Sequence, residues 1–106
     1  MKVIFDKLAQ LELKDATEFY ELEVAGLGKR FQMEVKQGIR RICEYPLAWT
    51  KERRDIRKYI LHKFPYKILY SIEEGYIYII AIAHGHRRPN YWVDRISDDS
   101  QQTSPI

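Results

Sequence analysis

The segment His84-Gly-His-Arg-Arg-Pro-Asn-Tyr-Trp92 places two imidazoles, two guanidinium groups and two aromatic rings within nine residues. Histidine titrates near neutral pH, so His84 and His86 can each take up or release a proton. Arg87 and Arg88 carry a permanent positive charge and are suited to holding a phosphate. Groups of this kind at one place are typical of a surface that binds or acts on a polyanion.

The charge of the whole chain points to the same kind of partner. The formal net charge is only +3, but the charged side chains of residues 12–23 are mostly acidic, whereas those of residues 51–67 and 84–95 are mostly basic. A one-sided basic patch attracts nucleic acid or an acidic protein segment. The alternative is a solvated charged face that binds nothing.

Length and composition exclude several classes of protein. With 106 residues, the chain fits one domain, which we expect over residues 1–96, followed by a flexible tail over 97–106. No apolar run is long enough for a membrane span, and an acidic residue follows too soon after Met1 for a secretory signal. The lone Cys43 cannot form an internal disulfide, which favours the cytoplasm. The spacing of the histidines and Cys43 does not fit zinc, and we expect neither a metal nor a cofactor.

Hydrophobic periodicity predicts the elements that position this segment. A short strand over 3–5 precedes a helix to about residue 25, and a second helix is expected over about 29–44. A loop is expected over 46–54. Strands are then expected over 56–61, 66–73 and 76–84, with a turn at Glu74-Gly75. The order β-α-α-β-β-β predicts an α+β fold with a helix hairpin on a mostly antiparallel four-stranded sheet.

A two-residue turn at Glu74-Gly75 makes Glu73 oppose Tyr76 and Lys67 oppose Ile82. Strand alternation then places Lys67 and His84 on one face of the sheet, and a nearly all-apolar set from Tyr66 to Ala83 on the other. The apolar face is expected to pack against the helices. The face with Lys67 is expected to be an open binding surface, unless the C-terminal arm, expected over residues 89–96 as a short helix or an extended segment, folds over it.

Each candidate residue also has a structural explanation. Lys67 can be a solvated strand residue, and His84 can end its strand. The arginines Arg87, Arg88 and Arg95 can pair with nearby aspartates or with the acidic helix. Trp92 and Tyr91 can pack the arm onto the sheet, which is the favoured role for Trp92.

The order of these features resembles the RelE/ParE superfamily of toxins over roughly residues 3–95. The resemblance rests on Gly26-Leu-Gly28 between the helices, on Phe64-Pro-Tyr-Lys-Ile-Leu-Tyr70, and on Ile79-Ile-Ala-Ile-Ala-His84 with the segment after it. It implies a growth-inhibiting toxin of a type II toxin–antitoxin module, with a cognate antitoxin as partner. RelE-like members cut mRNA on the ribosome, and ParE-like members inhibit DNA gyrase without a known hydrolytic site.

Cleavage of the RelE kind needs a general base, a general acid and cations around the scissile phosphate. The resemblance places Lys67, Arg87 or His86, and Tyr91 or Trp92 where RelE-like members have catalytic residues, and we take Lys67, Arg87 and Tyr91 as the catalytic candidates. His84 is added to them from its position alone, as an acid or base, because histidine titrates near neutral pH. The remaining candidates are expected to bind RNA or another target, and these are Lys58, His86, Arg88, Trp92 and Arg95.

The sequence departs from the RelE pattern at three places. Lys67 stands where those members have an arginine, and a lysine cannot hold a phosphate with two parallel bonds. Ile60 occupies the place of a second strand lysine. The terminal tyrosine is displaced by one position or replaced by Trp92. Three hypotheses therefore stand: an mRNA endonuclease, a non-enzymatic gyrase inhibitor, and a nucleic-acid-binding or structural domain.

Overall fold

The computed structural model describes residues 1–96, so the predicted flexible tail over 97–106 lies outside the described residues. The elements are β1 (Lys2–Phe5), α1 (Lys7–Glu23), α2 (Leu27–Glu44), β2 (Lys51–Arg53), β3 (Ile56–Ile60), β4 (Tyr66–Glu73) and β5 (Tyr76–His84). No helix among these residues is long and apolar enough to cross a membrane.

The strands form one sheet in the order β1-β5-β4-β3-β2, with β1 parallel to β5 and the other neighbours antiparallel. The predicted α+β class is confirmed. The sheet has five strands rather than the predicted four, because the expected loop over 46–54 contains the three-residue strand β2, which pairs with β3. Its sequence Lys-Glu-Arg has no apolar alternation, so the pattern gave no signal for a strand.

Local chemistry fixes the ends of the two helices. The Asp6 carboxylate accepts a hydrogen bond of 2.9 Å from the amide of Leu8 and caps the start of α1. Gly26 has φ 87°, a left-handed conformation that glycine adopts without strain, at the connection to α2. At Gly28 a Cβ atom would lie 2.4 Å from the carbonyl oxygen of Thr17, so the two helices cross closely there because the side chain is absent.

The hydrophobic core lies between the helix hairpin and one face of the sheet, here called the front face. Phe31, Val35 and Ile42 of α2 are fully buried. The sheet residues that pack in this core are Tyr59, Leu61, Ile68, Tyr70, Ile77, Ile79 and Ile82. Burial of this apolar surface is the main force that holds the hairpin on the sheet.

The turn at Glu74-Gly75 forms as predicted, with Glu73 opposite Tyr76, and the register holds as far as the pair Tyr70 and Ile79. The pairing then shifts by one residue, so that Leu69 opposes Ala81. Ile80 is thus an extra residue in β5, and this irregularity is a β-bulge. Beyond the bulge every side chain of β5 lies on the face opposite to the predicted one.

The predicted pairing of Lys67 with Ile82 is therefore wrong: Lys67 opposes Ala83, and Tyr66 opposes His84. Ile82 packs in the core under the helices, whereas Ala81 and Ala83 pack on the other face of the sheet, the back face. The strands β4 and β5 have the predicted bounds, and the error came from assuming an uninterrupted ladder between them.

The back face is covered rather than open. The arm folds over it through successive turns, with amide-to-carbonyl bonds such as Tyr91 to Arg88 and Arg95 to Trp92. Trp92 is only 1% exposed. It packs against Ile56, Leu69, Ile80, Ala81 and Ala83. The expected open binding surface is thus wrong, and the alternative in which the arm covers this face is confirmed.

Candidate functional site

One carboxylate on α1 gathers several of the candidate residues around it. Glu12 accepts hydrogen bonds from the Tyr91 hydroxyl at 2.6 Å and from both terminal nitrogens of Arg95, at 3.0 and 2.9 Å. The guanidinium of Arg87 lies 3.9 Å from the same carboxylate. We call Glu12, Arg87, Tyr91 and Arg95 the Glu12 cluster.

The Glu12 cluster occupies the edge of β5 beyond the end of β1. The last bond between these strands runs from the amide of Asp6 to the carbonyl of Ile79. Further along, the Ile80 carbonyl accepts a bond of 3.0 Å from Arg95, and the Ile82 amide donates one of 2.9 Å to Glu12. Two side chains thus satisfy backbone groups that a longer β1 would have paired.

The environment of Tyr91 keeps its hydroxyl protonated. Burial raises the pKa of Tyr91, and the hydrogen bond to the negative Glu12 raises this pKa further. The ring is covered by Arg87, whose guanidinium carbon lies 3.7 Å from the ring centre. This cation–π contact holds Arg87 at the base of the arm, where half of its side chain remains exposed.

A second carboxylate on the back face collects the two candidate strand lysines. Lys58 and Lys67 each place their ammonium nitrogen 3.2 Å from a different oxygen of Glu52 on β2. Burial by itself raises the pKa of Glu52, but the hydrogen bonds from Lys67 and Lys58 outweigh this effect and lower it. We call Glu52, Lys58 and Lys67 the Glu52 cluster.

His84 lies apart from the Glu52 cluster. Its ring meets Tyr66 edge to face at 4.9 Å, on the front face, whereas Lys67 is on the back face. Its Nδ1 accepts a hydrogen bond of 2.9 Å from the amide of His86. The prediction that Lys67 and His84 share one face is wrong, because the bulge at Ile80 reverses the direction of the later side chains.

The remaining candidates divide by exposure. His86 and Arg88 are exposed at the start of the arm. Trp92 is buried against the sheet, which is the packing role favoured from the sequence. The Arg95 side chain is 10% exposed and paired with Glu12, which agrees with the predicted alternative of pairing with the acidic helix.

Sequence reasoning missed the two carboxylates that organise these residues. Glu12 lies between Ala9 and Ala16 on the buried stripe of α1. Because a buried charge needs a partner, an acid on an inward-facing stripe indicates a cation packed against it. Glu52 lies in a stretch with many charges and had no such signal. Within residues 1–96, no group of three or more His, Cys, Asp or Glu side chains is placed to hold a metal ion.

Comparison with known proteins gives the family. The model of the ParE toxin of the type II toxin–antitoxin system parDE matches residues 3–89. Among solved structures, a chain of the chromosomal ParDE TA system from P. aeruginosa is similar with a TM-score of 0.68 and 15% identity, over 79% of this chain and 95% of that chain. No curated protein is significantly similar in sequence. Because the family model covers most of the sequence, the chain belongs to the ParE family of toxins of type II toxin–antitoxin systems.

Proposed function

We propose that this protein is a growth-inhibiting toxin that acts in the cytoplasm by binding DNA gyrase, without cutting nucleic acid, and that a cognate antitoxin neutralises it. The observation that carries the proposal is the separation of the groups that RNA cleavage would require. His84 lies on the front face, and Lys67 lies on the back face in a pair with Glu52.

A general acid or base must reach the reacting oxygen directly or through one water molecule. The Tyr91 hydroxyl donates a hydrogen bond to Glu12, and its raised pKa opposes proton release. The ammonium groups of Lys58 and Lys67 are both paired with the single carboxylate of Glu52. This arrangement supports inhibition by binding rather than a proton-transfer mechanism.

The base of the arm is the surface best suited to contact the target. His86, Arg87 and Arg88 are exposed there. Arg87 is held in place by the ring of Tyr91 at 3.7 Å and by Glu12. A cation that is already positioned loses less side-chain entropy on binding than a freely moving one.

One observation favours mRNA cleavage as the second candidate. Lys58 and Lys67 reach the two oxygens of one carboxylate at 3.2 Å each, so their spacing also suits the oxygens of one phosphate. In that case Glu52 would have to move aside when RNA binds.

Two variants distinguish gyrase inhibition from mRNA cleavage. We expect the purified protein to inhibit supercoiling by gyrase in vitro, Arg87→Ala/Arg88→Ala to lose most of this inhibition, and Lys67→Ala to retain it. Mapping of transcript ends after induced expression should find intact mRNA. In-frame cuts in mRNA that disappear in Lys67→Ala, together with unaffected gyrase, would overturn the proposal in favour of the endonuclease.

A further inference from the structure

A second apolar stripe runs along the solvent side of α1. The stripe that faces the core is buried through Ala9 and Ala16. The other one, here called the outer stripe, is exposed by 49% at Leu8, 51% at Leu11, 56% at Phe19 and 88% at Leu22. At 3.6 residues per turn these side chains fall on one side of the helix. Contiguous exposed apolar surface of this kind marks a site of protein association.

The outer stripe is symmetric about Asp15. Leu11 and Phe19 each lie four residues from Asp15, or about 6 Å along the helix axis. Leu8 and Leu22 each lie seven residues from it, or about 10.5 Å. A second copy of α1, packed antiparallel with a two-fold axis at Asp15, therefore places Leu8 against Leu22 of that copy. Leu11 meets Phe19 in the same way.

The charges at the ends of α1 have the same symmetry with opposite sign. Lys7 is the first residue of the helix and Glu23 is the last, and each lies eight residues from Asp15. Both are exposed, and neither forms an ion pair within residues 1–96. The antiparallel arrangement places Lys7 beside Glu23 of the second copy at both ends of the contact.

The end of α1 also lacks the cation that a helix favours there. Its last turn contains Glu21 and Glu23 and no basic residue, although the negative end of the macrodipole favours cations. Glu21 accepts hydrogen bonds from the amides of Gly26 and Gly28. Glu23 has no such bond among the described residues, and an antiparallel copy supplies a cation to it through Lys7.

The sequence of α1 disfavours a lipid surface as the occupant. Helices that lie on membranes are rich in lysine and arginine on the polar face, whereas the charged residues of α1 are mostly acidic. A different protein would need no symmetry in the surface that it contacts. The symmetry of both the apolar residues and the end charges about Asp15 therefore favours a second copy of this chain.

We propose that two copies of this chain associate through an antiparallel pair of α1 helices, with the two-fold axis at Asp15. The two Asp15 carboxylates repel each other there, and Lys14 of each copy, one residue away, offsets this repulsion. A pair of 17-residue helices is a small interface, so we expect a dissociation constant on the order of 10 µM. This association goes beyond gyrase binding and does not depend on it.

Sedimentation equilibrium of the full chain, over about 1 to 300 µM, measures the association. Leu11→Gln/Leu22→Gln should weaken it about tenfold or more, because glutamine keeps the helix propensity and removes the apolar contacts. The matched control Met33→Gln/Leu47→Gln changes two apolar residues outside α1 that are 60% and 72% exposed, and it should have an effect below about twofold. Circular dichroism melts establish that each variant is folded.

A charge swap tests the pairing of the helix ends. Lys7→Glu and Glu23→Lys should each weaken association severalfold, because each brings like charges together at both ends of the contact. Both changes favour the macrodipole of α1 itself, so unfolding does not account for a loss. Lys7→Glu/Glu23→Lys should restore association, and a double variant as weak as the single ones would contradict the antiparallel pairing.

Cross-linking tests the position of the two-fold axis. In a Cys43→Ser chain, Asp15→Cys places a thiol on the axis, where facing residues come within the roughly 4.4–6.8 Å between Cα atoms that a disulfide spans. Mild oxidation should therefore give a covalent dimer. Glu23→Cys should not cross-link, since its two copies are about 24 Å apart along antiparallel helices.

Three outcomes would overturn the proposal. A chain that stays monomeric up to about 300 µM would mean that a second copy does not occupy the outer stripe. Equal losses in the stripe variant and in its control would place the contact elsewhere. Cross-linking of Glu23→Cys as efficient as that of Asp15→Cys would show a parallel or non-specific contact.

Discussion

The Glu12 cluster and the Glu52 cluster each gather cations around one carboxylate, yet their settings differ. Glu12 joins α1 to β5 and the arm, through residues separated by 70 to 83 positions in the sequence. Glu52 joins neighbouring strands of one sheet, over 15 positions to Lys67. The first carboxylate connects distant parts of the chain, and the second pairs with two lysines that are close to it in sequence.

Their cations differ in geometry and exposure as well. Arg95 donates to both oxygens of Glu12 from a side chain that is 10% exposed, while the side chains of Lys58 and Lys67 are 29% and 30% exposed. The planar fork of arginine matches a carboxylate, whereas an ammonium group is a point charge on a flexible stem. A charge as little exposed as that of Arg95 is poorly hydrated when it loses its partner, but a partly exposed lysine can turn outward. The Glu12 cluster is therefore expected to contribute to stability, and the Glu52 cluster to surface charge.

The largest effect is expected for Glu12→Gln. This change keeps the shape of the side chain but leaves Arg95 without its counter-ion, so it should lower the free energy of unfolding by about 3 kcal/mol. Urea unfolding at pH 7 measures the change. The control Glu18→Gln removes the carboxylate of an exposed pair with Lys14 on the same helix, and it should cost no more than about 0.5 kcal/mol. Equal costs for the two variants would contradict a structural role for Glu12.

The contrast between the clusters also explains what the sequence could predict. The strands β4 and β5, the turn at Glu74-Gly75 and both helices follow from periodicity and turn chemistry, because these signals are local. The bulge at Ile80 has no such signal: Ile79-Ile-Ala-Ile82 is a uniform apolar run in which one extra residue leaves the pattern unchanged. The error on His84 and Lys67 followed from that single residue.

The partners of the candidate residues were harder to predict than the residues themselves. Arg87, Tyr91 and Arg95 stood out in the sequence because of their chemical types. Their common partner, Glu12, is one acid in an acidic helix, and its proximity to them depends on how the arm folds back over the sheet. Contacts across 70 or more residues depend on tertiary packing, which periodicity does not describe.

A smaller effect is expected for Tyr91→Phe, which removes one hydrogen bond to Glu12 but keeps the ring beneath Arg87. Stability should fall by about 1.5 kcal/mol at pH 7, since the lost bond joins a hydroxyl to a charged group. The folded-state pKa of Tyr91 is raised by burial and by Glu12. Its contribution is therefore full below the ordinary value of 10.0 and is lost as the pH rises through the folded-state pKa.

Urea unfolding at pH 7, 9 and 10.5 tests this dependence, with Tyr45→Phe as a control at a tyrosine that is 65% exposed. The difference between the natural chain and Tyr91→Phe should be the same at pH 7 and 9 and smaller at 10.5. If the loss of stability in Tyr91→Phe is no larger than in the control, the bond to Glu12 does not contribute to the stability of the fold.

The smallest effect on stability is expected for Glu52→Gln, at about 0.5 kcal/mol, because both lysines can turn toward water. The informative measurement is the titration of Glu52 by carbon NMR. Burial raises its pKa, but the bonds from Lys67 and Lys58 lower it below the ordinary value of 4.5. A lowered pKa means that the carboxylate stabilises the fold above pH 4.5, and that this contribution is lost as the pH falls through the folded-state pKa. In Lys67→Ala the pKa should rise, since one of the two bonds is gone and burial remains. An unchanged pKa in that variant would mean that Glu52 is not held by the lysines, and the two carboxylates would then differ in more than the exposure of their cations.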